Sequence, residues 1–140
     1  MKIFLDANIL IRVVNKEYPL FTFSSRIVSL ARHSSFEVYT SPLCLAITFY
    51  FAEKKNKAIA RQKIKLLCDN IEITNLSSTI VDKMIKNNKI NDFEVGLEYY
   101  SAIDSKCKCI ITEDIDDFYF ADIEILNAES FFKKYMAKKM

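Results

Sequence analysis

Short apolar runs alternate with longer segments of helical spacing along this chain, and no other feature constrains its fold as strongly. The runs are Ile3-Phe4-Leu5, residues 36–40, the stretch holding Ile71, Ile73 and Leu76, residues 109–112 and residues 123–126. Each is short enough for a buried strand. The first ends abruptly at Asp6. Between the runs lie helix-like segments. One covers 8–16, and a second opens at Pro19 and carries Phe23, Ile27, Leu30 and Ala31 at helical spacing. Ser41-Pro42 supplies a cap and a first helical residue for a helix over 42–55. Further helices are expected over 57–69, from Ser77 or Ser78 onward, over 93–105 behind Asp92, and over 128–137. Strands that alternate with helices predict a central parallel sheet covered on both faces, a three-layer α/β/α architecture.

One domain spanning 1–140 is expected, because a single Gly and two Pro leave no flexible linker. Hydrophobic residues make up 51% of the chain and charged residues 27%, a balance that buries a core and argues against disorder. No apolar run reaches the ~18–20 residues that a membrane helix needs. The opening stretch carries Asp6, Asn8 and Arg12, so no secretory signal is expected and the cytoplasm is the expected compartment. Cys107 and Cys109 form a CxC, not the CxxC of zinc or redox sites, and the four thiols are expected to pack in or near the core. His33 is the one histidine, which excludes HExxH and supports no Ser–His or Cys–His pair. Gly96 stands alone, so there is no glycine-rich phosphate loop. The net charge of +2 is no global nucleic-acid signature. Basic residues do cluster locally: Lys54, Lys55, Lys57, Arg61, Lys63 and Lys65, and then Lys133, Lys134, Lys138 and Lys139. Lys54, Lys55 and Arg61 are candidates for nucleic-acid contact, and a solvated helix face is the alternative.

The acids are more informative. Parallel sheets bind ligands beyond the carboxyl ends of their strands. Asp6 ends the first strand. Asp114 follows the fourth by two residues, and Asp117 comes three later. Asp92 and Glu94 open the helix that feeds the fourth strand. Carboxylates gathered at one edge repel each other, and a hard divalent cation relieves that repulsion. Oxygen ligands with open water positions suit Mg²⁺ or Mn²⁺. Asp92 also reads as an N-cap, with Glu94 favourably placed in the first turn.

The opening MKIFLDANILIRVV resembles that of PIN-domain proteins, with Asp6, Asn8, Ile9 and Leu10 in a D-x-N-[IVL]-[IL] pattern. IITEDIDDF resembles the family's later strand and acidic loop, through Thr112, Asp114, Asp117 and Phe118. SPLCLAITFYFAEKK and DFEVGLEYYSA are similar to two helices of a bacterial PIN subfamily. The four motifs occur in order and span nearly the whole chain. The resemblance implies a Mg²⁺- or Mn²⁺-dependent ribonuclease of the VapC toxin kind, acting on RNA, dimeric and silenced by an antitoxin protein. It makes Asp6, Glu94 and Asp114 the catalytic acids, with Asp117 as a further metal ligand. Asn8, Thr112 and Asp92 become groups that orient carboxylates or water.

Two departures bear on activity. Ile47 stands where these nucleases commonly carry an acid, and Val95 where the D-F-E-D pattern has its Asp. An Asp restored at 95 is therefore expected to tighten Mn²⁺ by roughly tenfold. Unless the Val95 side chain packs in the core, the wild type should then be slow. The alternatives are a degenerate PIN domain that binds RNA or a protein without cutting, and a module serving only oligomerisation.

Overall fold

The computed structural model describes residues 1–17 and 21–136. Five strands, β1 (Lys2–Leu5), β2 (Glu37–Thr40), β3 (Glu72–Ile73), β4 (Cys109–Ile111) and β5 (Glu124–Leu126), pair in the order β3-β2-β1-β4-β5. Every pairing is parallel. The helices are α1 (Ala7–Val14), α2 (Phe21–Ser29), α3 (Pro42–Asn56), α4 (Ala60–Asn70), α5 (Ser78–Lys86), α6 (Phe93–Asp104) and α7 (Ala128–Phe131). They cover both faces of the sheet, as the alternation of strands and helices predicts. Burial on both faces explains why β1 and β4 are continuous apolar runs: Ile3, Phe4, Leu5, Cys109, Ile110 and Ile111 have no exposed surface. Each fully buried aliphatic or aromatic side chain here contributes about 1.5–3 kcal/mol to stability.

The strand order places a switch point in the sheet. The chain builds β1, β2 and β3 outward to one side, then crosses back to lay β4 against the other flank of β1. Phe4 therefore lies between Tyr39 of β2 and Ile110 of β4. At such a point the connections leave in opposite directions and open a crevice beyond the strand ends.

Side-chain caps fix where the helices begin. Asp6, Ser41, Ser77, Asp92 and Asn127 each accept a bond from a backbone N–H in the first turn. The expected helix over 57–69 begins with a 3₁₀ turn at Lys57–Ile59 before α4 proper. The expected third strand is shorter than its apolar pattern and does not reach Leu76. The last helix passes from α7 into a π-helical turn at Phe132–Met136. Pro19, the end of the last helix at 137, and Lys138 and Lys139 lie outside the described residues.

Gly96 has a packing reason. A Cβ built on it would lie 1.8 Å from Met84 Sδ and 3.1 Å from Ile90 Cγ2, so α5 approaches α6 over the bare backbone. The four cysteines are free thiols; three are buried and Cys68 is half-buried. His33 is exposed at the end of a short 3₁₀ turn, Leu30–Arg32. Among the described residues no helix is long and apolar enough to cross a membrane.

Candidate metal centre at the switch point

Asp6 is where strand becomes helix. Its own N–H still belongs to the sheet, donating to Ile111 O at 3.0 Å. Its carboxylate caps α1, with Oδ1 accepting from Ala7 N at 2.7 Å. The side chain is only 8% exposed, so the carboxylate is held in a part-dry crevice at the positive end of a helix. Next to it the Thr112 N–H donates to Leu126 O, which extends the ladder one residue past β4. Thr112 Oγ1 donates to Asp6 Oδ2 at 2.7 Å and accepts from Asp114 N at 3.0 Å. One hydroxyl thus aims one carboxylate and turns the backbone that presents another.

Asn8 works similarly. Its Nδ2 lies 3.0 Å from Asp114 Oδ2, 3.2 Å from Thr112 Oγ1 and 3.5 Å from Asp6 Oδ2. Its Oδ1 accepts from Glu113 N at 3.2 Å. The amide spans the two acids and pins the loop after β4. The structure brings Asp6, Asn8, Thr112 and Asp114 into one hydrogen-bonded set.

α6 supplies the next carboxylates. Asp92 caps it, Oδ1 accepting from Val95 N at 3.1 Å. Glu94 is exposed in the first turn, and its pKa is raised by partial burial and then by the charges of Asp92 and Asp6. Asp117, on a 3₁₀ turn (Ile115–Phe118), is raised by slight desolvation and then by Asp114, Asp92, Asp6 and Asp116. These two acids sit at the exposed rim of the same negative field.

The innermost position belongs to a residue that the sequence reading passed over. Glu98 is 2% exposed and faces Asp6. Burial first, then the Asp6 charge and a hydrogen bond with Asp6, push its pKa up to about 10. Cys44, fully buried, lies with its Sγ 3.9 Å from Asp6 Oδ1. Burial, then the charges of Glu98 and Asp6, hold its thiol well above the usual range. One ligand atom from each of Asp6, Cys44 and Glu98 falls within 4.8 Å of the others. Glu94, Asp114 and Asp117 are not part of that tight trio. A helical wheel contained the signal for Glu98. Val95, Tyr99 and Ala102 form the buried stripe of α6, and a glutamate at 98 falls on that stripe.

Val95 is 8% exposed and belongs to the hydrophobic core. The gain expected from Val95→Asp therefore does not follow, and Glu98 is the inner carboxylate that α6 offers. Ile47 is half-buried against the core and brings no ligand atom. Of the basic candidates, Lys54 lies 4.5 Å from the Tyr50 ring centroid and Arg61 5.6 Å from that of Phe49. Both heads are exposed, whereas Lys55 bonds the Asn15 carbonyl.

This donor set fits a divalent cation. Two buried carboxylates face each other, and among the described residues neither forms an ion pair. Two such groups cannot both ionise without a counter-charge.

Comparisons with known proteins bear on the fold and the family. The chain is 26% identical over 138 residues to "Ribonuclease VapC1" of Aquifex aeolicus, covering 96% of this chain and 95% of that protein. Its fold matches VapBC2 from Rickettsia felis bound to a DNA fragment from their promoter, at a TM-score of 0.68 and 21% identity over 91% of this chain and 98% of that one. It matches Mycobacterium tuberculosis VapC20, a Sarcin-Ricin loop cleaving toxin, at a TM-score of 0.68 and 12% identity over 87% and 97% of the two chains. The PIN domain family model matches residues 2–116. With the switch-point acids in place and most of its length matched by that model, this chain belongs to the PIN domain family.

Proposed function

We propose that this chain is a metal-dependent endoribonuclease of the VapC toxin type, working in the cytoplasm and held in check by an antitoxin protein. The observation that carries the reading is the convergence of Asp6, Glu98 and Asp114 at the switch point. A bound divalent cation, Mg²⁺ or Mn²⁺, would supply an activated water and offset charge on a phosphodiester. Asp6 and Glu98 would hold it from within, with Glu94, Asp114 and Asp117 at the rim. Asn8 and Thr112 orient the carboxylates of Asp6 and Asp114, and Asp92 anchors the helix that carries Glu94 and Glu98. Lys54 and Arg61 are the basic side chains proposed to meet RNA phosphates. The likeness to VapBC complexes supports a protein partner. So does an apolar cleft of about 380 Å³ between α1, α2 and α4, lined by Val13, Val28 and Leu66 with Lys16 and Arg32 among its charged residues. A homodimer is part of the same proposal.

The test is cleavage of a structured RNA by the purified chain with Mn²⁺ or Mg²⁺. Cutting should stop in EDTA, return on adding metal, and vanish in Asp6→Asn. The apolar Ile47 favours a second reading, a PIN domain that binds RNA without cutting. Retained RNA binding with no metal-dependent cleavage would select that reading instead.

A further inference from the structure

We propose that Cys44 is a metal ligand, and that its sulfur tilts this pocket toward borderline cations such as Zn²⁺ and Co²⁺ at the expense of the hard ion Mg²⁺. The inference rests on the reading of the switch-point pocket as a cation site.

Three observations carry it. First, the thiol occupies the pocket. Cys44 Sγ, Asp6 and Glu98 offer ligand atoms within 4.8 Å of one another, and all three residues are buried. Second, the separation suits a shared ion. Bonds of ~2.3 Å to sulfur and ~2.0 Å to oxygen, at a tetrahedral angle, put the two ligand atoms about 3.5 Å apart. The observed Sγ to Oδ1 distance is 3.9 Å, a few tenths of an ångström from that value. Third, the backbone that carries the thiol is fixed from its own helix. Cys44 sits in the first turn of α3, where its N–H donates to Ser41 Oγ at 3.1 Å and its carbonyl accepts from Thr48 Oγ1 at 2.7 Å. No large rearrangement is needed to present the sulfur.

The consequence is selectivity. Carboxylates alone suit hard ions such as Mg²⁺, whereas a thiolate favours Zn²⁺ and its neighbours. When the metal–sulfur bond forms, the thiol proton is released to solvent. The other three thiols lie elsewhere: Cys107 and Cys109 at the opposite edge of the sheet, where β4 begins, and Cys68 in α4.

The experiment titrates the intact chain with Co²⁺ and reads absorption, then measures Zn²⁺, Mn²⁺ and Mg²⁺ affinities by calorimetry. Wild type should show an intense near-ultraviolet sulfur-to-cobalt band. That band should be lost in Cys44→Ser, while weaker visible cobalt bands persist. It should also be lost in Asp6→Asn, which separates this pocket from the other thiols. The preference for Zn²⁺ over Mg²⁺ should fall by roughly tenfold or more in Cys44→Ser, the scale on which loss of a group around a metal usually acts. Co²⁺ bound in an Asp6-dependent way with no sulfur band would overturn the inference and leave the cation site standing. No binding of any of these ions would overturn both. If Cys44→Ser does not fold, the wild-type and Asp6→Asn spectra still decide.

Discussion

Glu98 shows how much one buried carboxylate can set. It lies against Asp6 with almost no solvent, and burial followed by the Asp6 charge pushes its pKa up to about 10. An unfolded glutamate titrates near ~4.3. Between about pH 5 and 8 the metal-free folded chain therefore holds a proton at Glu98 that the unfolded chain has released. Folding favours the protonated form, so its contribution is fully present below the unfolded pKa and is lost as pH rises toward the folded one. With the metal stripped by EDTA, the urea midpoint should fall as pH rises from 5 to 8. Glu98→Gln has no proton to lose, and its midpoint should change much less over the same range. The same variant should bind divalent cations more weakly. A parent and variant with parallel pH profiles would show that Glu98 ionises freely in the fold.

α6 carries two jobs on adjoining faces. Its start is polar, with Asp92 as cap and Glu94 at the rim, while Val95, Tyr99 and Ala102 turn inward. Successive helical residues are ~100° apart, so position 95 shares the buried stripe with 99 and 102 while 94 does not. Val95 packs in the core, and an Asp there would bury a polar or charged group without a prepared partner. Val95→Asp is expected to cost about 2–3 kcal/mol in equilibrium unfolding. A variant as stable as the parent that binds Mn²⁺ more tightly would show that α6 turns to offer a second inner acid. Gly96 belongs to the same element. Any side chain there meets Met84, so the helix gives up roughly 1 kcal/mol of propensity to let α5 approach.

Across the molecule the basic residues differ in whether their charged ends bond the backbone. Lys54 and Arg61 lie over aromatic rings with exposed heads. Lys55 and Lys63 donate to the carbonyls of Asn15 and Val14, where the end of α1 leaves acceptors unpaired. Lys54→Ala and Arg61→Ala should each weaken RNA binding and lower the slope of log affinity against log salt by ~0.7, the value for one phosphate contact on a single strand. Lys55→Ala should leave that slope nearly unchanged and instead lower the melting temperature. Fluorescence anisotropy across a salt series, with thermal unfolding alongside, checks both halves. Equal slopes for all three variants would remove this face from the proposed RNA surface.

The sequence by itself determined the alternation of strands and helices, because burial on both faces of a parallel sheet leaves unbroken runs such as Ile3-Phe4-Leu5 and Cys109-Ile110-Ile111. It determined the helix starts at Ser41 and Asp92 too, since capping is a local bond within one turn. Asp6 and Asp114 were equally legible, because each follows the end of a strand that periodicity marks, whereas Asn8 and Thr112 were named through the resemblance to PIN-domain motifs. Only the tertiary structure decided that the inner carboxylate of α6 lies against Asp6. The buried stripe of α6 marks position 98 rather than 94. What that glutamate faces depends on how α6 packs against α3 and α5. Cys44 is the same case: a thiol near a helix start reads as core until the fold sets it opposite Asp6 and Glu98, residues 38 and 54 positions away in the chain.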